Sequence, residues 1–230
     1  MRKSPSGWAD WRNEQEGGYV VKKSIVLLFI VLMLSVPLSA VAEGLGNSII
    51  IYFDYSENIV TDGLDVDAVS SASVAEGPGV RDIGNLLVMV DLIEQRSGAT
   101  IYPLRINEKY APMFDDMAQG ALDDKENDRQ FTFEQPLPDL SDVDTVFFGS
   151  PIWWYGMPQP VVNFFQQVDL SGKRFMYFSI NRGSGNSGII ESLKELQPGL
   201  TVAAEYSLSA MQTNESAAEE FNAWLDSLSR

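Results

Sequence analysis

Residues 145–156 read Thr-Val-Phe-Phe-Gly-Ser-Pro-Ile-Trp-Trp-Tyr-Gly. Over the first five, apolar side chains fall on both alternating sets, so neither face of the segment is polar. A strand of that kind belongs inside a parallel sheet covered on both sides by helices. The remainder follows a proline and ends in a glycine, which marks a loop. That loop carries three consecutive rings, Trp153, Trp154 and Tyr155. Neighbouring side chains point different ways, so at least one ring faces outward.

Four other short runs read as strands: residues 48–53 (SIIIYF), a continuous apolar run of the same two-faced kind, and 100–106, 174–180 and 201–207. Helical patterns lie between them. Leu86, Met89, Val90 and Ile93 recur at i, i+3, i+4 and i+7, with Ser97-Gly98 as a stop signal, so residues 86–96 are predicted helical. Residues 113–125 predict an acidic helix that Gly120 weakens. Residues 158–168 place Val161, Phe164, Phe165 and Val168 on one stripe. Pro158 and Pro160 stand in the first turn, where a missing N–H costs least. Residues 189–196 predict another helix, ended by Pro198-Gly199. Asn214 caps a last one with the stripe Ala217, Phe221, Trp224, Leu225 and Leu228. Strand and helix alternate five times. That pattern predicts a doubly wound α/β domain with a five-stranded parallel sheet and right-handed crossovers. Residues 61–83, rich in Gly, Ser, Ala and Asp, read as a long irregular insertion.

Composition narrows the chemistry. The 230 residues are enough for one sizeable core. There are 32 acidic and 16 basic residues, a net charge of −16, with no cysteine and no histidine. Missing cysteine removes thiol nucleophiles, disulfides and Cys-ligated metals or clusters. Missing histidine removes Ser-His-Asp catalysis and imidazole acid–base work. So acidic a surface repels nucleic acid and suits a basic partner. A carboxylate-based hydrolase remains conceivable, but no pair of acids stands out in spacing.

The N-terminus has its own logic. Lys22 and Lys23 precede an apolar run at residues 25–36, and Ala40-Val41-Ala42 follows as a small-x-small cleavage site. This predicts a secretory signal cut after Ala42. The alternative is an uncleaved anchor at residues 25–42, the chain's one route to a membrane. Residues 1–19, polar and aperiodic, read as an extension ahead of the signal. The chain thus divides into residues 1–42 and a single domain at 43–230, placed outside the cytoplasm.

In an open parallel sheet, ligands bind beyond the carboxyl ends of the strands, at the switch point. Three loops sit there. The first is Asp54-Tyr55-Ser56-Glu57-Asn58, continued past the insertion by Gly84-Asn85-Leu86. A helix N-terminus with Gly84 beside it offers N–H donors to a phosphate, and Ser56 and Asn85 add side-chain donors. The second is Pro151-Ile152-Trp153-Trp154-Tyr155-Gly156, whose rings suit stacking on a planar ligand, a lid over the core or a partner contact. The third is Asn181-Arg182-Gly183-Ser184-Gly185, followed by Asn186-Ser187-Gly188, whose backbone N–H groups suit the polar edge of a heterocycle.

Taken with Tyr52-Phe53-Asp54-Tyr55-Ser56, Gly84-Asn85-Leu86, the stretch Asp139 to Trp154, Leu170-Ser171-Gly172-Lys173 and Gly183-Ser184-Gly185, the chain resembles the flavodoxin-like family. It is most similar to bacterial members with a Pro-x-Trp-Trp loop. The resemblance implies strand order 2-1-3-4-5, non-covalent FMN, and electron transfer or flavin-dependent reduction of a quinone or other small molecule. The partner would be a redox protein or a small-molecule acceptor. It implies that Tyr55, Ser56, Asn58, Gly84, Asn85 and Leu86 lie at the FMN phosphate. Pro151 to Gly156 would border the isoalloxazine, with Trp153 or Trp154 stacking. Asn181 to Gly185 would meet its polar edge, with Arg182 placed to stabilise an anionic reduced flavin. The sequence departs from the pattern at Leu86, where the family has Thr, at Asn181-Arg182, and in its carboxylates at Asp54 and Glu57. Glu57, Leu86 and the long insertion, which splits the phosphate site, support a second reading, a binding module that has kept the fold and lost FMN, and now holds another planar ligand or a protein.

Overall fold

The computed structural model describes residues 44–60, 85–209 and 215–228. The signal or anchor, the insertion, Gly84 and the Asn214 cap lie outside the described residues. Among the described residues, no helix is long and apolar enough to cross a membrane.

The elements alternate as β1 (Ser48–Tyr52), α1 (Asn85–Ser97), β2 (Thr100–Pro103), α2 (Phe114–Glu126), β3 (Thr145–Pro151), α3 (Gln159–Phe165), β4 (Arg174–Asn181), α4 (Ile189–Leu196), β5 (Thr201–Ser209) and α5 (Glu215–Ser227). All strand pairs are parallel, in the order β2-β1-β3-β4-β5. This is the expected doubly wound sheet. Both faces of β3 are buried: Val146 and Phe148 join the layer that packs on α2, α3 and α4, while Phe147 joins the layer of α1 and α5. The aromatic filling of the first layer centres on Phe148, whose ring lies 4.5–6.4 Å from those of Phe164, Phe165, Phe175 and Tyr177.

Most boundaries shift by one or two residues, and three of the shifts have a visible cause. β2 ends at Pro103, three residues early. Beyond it, Asn58 draws the chain away: its Oδ1 accepts from the Ile106 N–H (2.9 Å), and its Nδ2 donates to the Leu104 carbonyl (3.1 Å). Ile106 then bridges antiparallel to Phe133. β3 runs on to Pro151, because Ser150 and Pro151 stay in register with Ser179 and Ile180 of β4. Helix α3 stops at Phe165, short of Val168. The Gln197 amide donates to the carbonyls of Phe165 (2.5 Å) and Val168 (2.8 Å), satisfying groups that further helix would otherwise have to satisfy.

Candidate functional site

At the carboxyl end of β3 the three rings separate. Trp153 is buried, edge-on to Phe53 (5.6 Å), Tyr55 (6.1 Å) and Tyr110 (5.1 Å). It is a core residue that ties this loop to the end of β1. Trp154 and Tyr155 are 44% and 77% exposed. Both have positive φ, 46° and 56°, and the N–H and C=O groups of Trp153 and Gly156 bond reciprocally at 3.0 and 2.9 Å. Two positive-φ residues in a reciprocally bonded turn normally call for Asn and Gly. Two bulky aromatics there are strained. The turn is held by helix α2: the Trp154 indole donates to the Ala118 carbonyl (2.8 Å), and the Lys125 ammonium donates to the Trp154 carbonyl (2.8 Å).

Beside the turn lies a cleft of about 560 Å³. One wall is Ile152 to Tyr155, another is Arg182 and Ser184, and the third is Phe114 to Ala121 of α2. The helix wall is absent from the sequence-based assignment. Its signal was available: Ala118 and Ala121 are small residues on the turns beside Met117, which leaves room against a flanking surface. The size suits a three-ring heterocycle.

The third loop differs from expectation. Asn181 is buried, and its Oδ1 accepts from the backbone N–H groups of Gly183 (2.8 Å) and Gly185 (3.1 Å). Its Nδ2 donates to Ser207 Oγ and the Leu208 carbonyl. The loop's N–H groups at Gly183 and Gly185 are therefore spent internally. What reaches the cleft is Arg182 and Ser184.

The first loop is more altered still. Tyr55 and Leu86 are fully buried core residues; the Tyr55 hydroxyl donates to the Ala111 carbonyl (2.7 Å). Asn58 is the buried staple described above. Asp54 is 0% exposed. Its Oδ1 accepts both the Ser56 N–H (2.8 Å) and the Ser56 hydroxyl (2.5 Å), and its Oδ2 has no hydrogen-bond partner. Burial pushes the Asp54 carboxyl up to about 6, against the pull of the Ser56 bonds and with a small push from Glu57. Glu57 pairs with Arg105 (2.7 Å), whose charge that bond secures. The Tyr52 hydroxyl is held in its neutral form by burial and then by Glu57. Asn85 opens α1.

A family model described as Flavodoxin matches residues 113–228, just over half the chain. The chain belongs to the flavodoxin family. Solved structures agree on the flavodoxin fold. A candidate flavoprotein from Bacteroides uniformis superposes with TM-score 0.57 at 18% identity, covering 77% of this chain and 98% of that one. Another from Bacteroides eggerthii gives 0.54 at 17%, covering 80% and 98%. A Lactobacillus acidophilus flavoprotein in complex with FMN gives 0.50 at 14%, covering 78% and 98%. No curated protein matches.

The two ends of an FMN fare differently against this flavodoxin's residues. The cleft, with its exposed aromatic turn and Arg182, fits a planar ring. The described part of the phosphate loop does not fit a dianion, because Ser56's two donors already serve a buried carboxylate.

Proposed function

We propose that the chain binds a flavin and moves electrons outside the cytoplasm, as a carrier or as a reductase of a quinone or similar small molecule. A bound flavin would supply the electron-carrying ring. The chain's own residues bind and orient it. Trp154 and Tyr155 offer faces for stacking, α2 closes the far wall against water, and Arg182 supplies positive charge at the cleft. The observation that carries this reading is the strained turn: two aromatics kept at positive φ and largely exposed, an arrangement that costs stability and stands beside a ring-sized cleft. The charge of −16 supports docking to a basic redox partner. The N-terminal pattern supports export, and a chain exported unfolded would capture its flavin outside.

The test is a titration of the purified chain with flavin, followed by quenching of flavin and tryptophan fluorescence. Saturable binding is expected, weakened about tenfold by Trp154→Ala through lost stacking. No binding to a folded chain would end the flavin reading and favour the binding module, which the altered phosphate loop supports.

A further inference from the structure

Resting on the flavin reading, we infer that this site selects a flavin whose side chain ends in a free hydroxyl, riboflavin, over its phosphate ester FMN.

The selecting element is Asp54, at the carboxyl end of β1 and ahead of α1. Strand end and helix start together form the place where a phosphate would meet N–H donors in this architecture. Phe53 and Tyr55, on either side of Asp54, both pack on Trp153, whose turn walls the ring cleft. Asp54 therefore stands where the loop at the end of β1 meets the loop that borders the ring.

Two features oppose a phosphate there. The first is donor supply. A phosphate at this loop would draw on the Ser56 N–H and hydroxyl, and the Asp54 carboxylate already accepts both. The second is charge. Asp54 and Glu57 are both acids of this loop, and the cation at hand, Arg105, is committed to Glu57. Lys109 donates to the Glu57 carbonyl and pairs with Glu134. Among the described residues no cation pairs with Asp54. A dianion brought to a buried, uncompensated carboxylate is repelled in surroundings that screen charge poorly.

The same carboxylate suits an alcohol. Asp54 Oδ2 is buried without a hydrogen-bond partner. A buried acceptor left unmet is costly, and a primary hydroxyl supplies the single O–H donor that meets it. Riboflavin carries such a hydroxyl where FMN carries the ester, and the two share the ring that the cleft fits.

The experiment titrates the full chain with riboflavin and with FMN at about pH 7.5 and constant ionic strength, reading flavin and tryptophan fluorescence. The parent is compared with Asp54→Ser, which removes the charge and releases the Ser56 donors, and with Asp54→Asn, which removes only the charge. The parent is expected to bind riboflavin at least about tenfold more tightly than FMN. Asp54→Ser should raise FMN affinity by about tenfold or more, Asp54→Asn by less, and neither should strengthen riboflavin binding. A parent that binds FMN as tightly as riboflavin overturns the inference and leaves the flavin reading standing. A preference for riboflavin that survives both substitutions overturns the role of Asp54. A folded parent that binds neither overturns both the inference and the flavin reading. The parent comparison stands by itself if a variant fails to fold.

Discussion

Asp54 sets the chemistry of its loop and also costs the fold something. An aspartate with an ordinary value of 3.8 is pushed up to about 6 by burial. The folded protein therefore keeps a proton that the unfolded chain has released, between about pH 4 and pH 6. In that window stability falls as pH rises, and above it the charged, buried carboxylate costs its full penalty, on the order of 1–3 kcal/mol. Asp54→Asn removes the penalty while keeping an acceptor for Ser56. The variant should unfold at a higher urea midpoint than the parent at pH 7.5, with the gap closing below about pH 4. An equal gap at both pH values would contradict the buried-charge account. At this scale the sequence named loops, and the structure shows which of their side chains face the cleft. Trp154 and Arg182 line the cleft and Ser56 serves Asp54, whereas Tyr55, Asn58, Leu86 and Trp153 are buried. Loop composition names a loop. It does not say which way each side chain turns.

The aromatic turn is the element whose energetics can be read most directly. Tyr155 sits at φ 56° with its ring largely in solvent. Tyr155→Gly should relieve strain without losing core contacts, stabilising the fold by about 1 kcal/mol. It should also weaken flavin binding, if the ring is there for stacking. Thermal unfolding and a flavin titration on the same variant separate the two effects; a destabilised Tyr155→Gly would show that the turn is not strained. Strand β3 makes the opposite point. A Cβ at Gly149 would run into the ring of Phe178, which is fully buried and cannot swing away. Gly149→Ala should cost about 1–3 kcal/mol, measured as a fall in urea midpoint, although alanine is ordinarily the better strand residue. Apolar periodicity found every strand and helix among the described residues. Their ends were set by partners distant in sequence: Asn58 for β2, Gln197 for α3 and β4 for β3.

Across the whole molecule the governing quantity is charge. With 32 acids against 16 bases, the compact state repels itself. Raising sodium chloride from about 20 to about 200 mM should raise Tm by a few degrees, by shortening the Debye length to about 8 Å or less. A Tm that falls would mean that specific ion pairs, such as Glu57 with Arg105, outweigh the general repulsion. The sequence by itself determined the layered parallel sheet, because strand runs alternate with helical segments five times and the runs at β1, β3 and β4 are apolar on both alternating sets, which calls for helices on both faces. It also determined which chemistries are absent, since no fold can supply a thiol or an imidazole the chain lacks. Only the tertiary structure decided the shape of the site. Helix α2 became a wall of the cleft, Asn181 consumed the N–H groups of its own loop, and Asp54 took the donors of Ser56. The first outcome depends on segments far apart in the chain; the other two are local turns of two to four residues, whose consequence comes from the burial that turns an ordinary aspartate into an uncompensated charge.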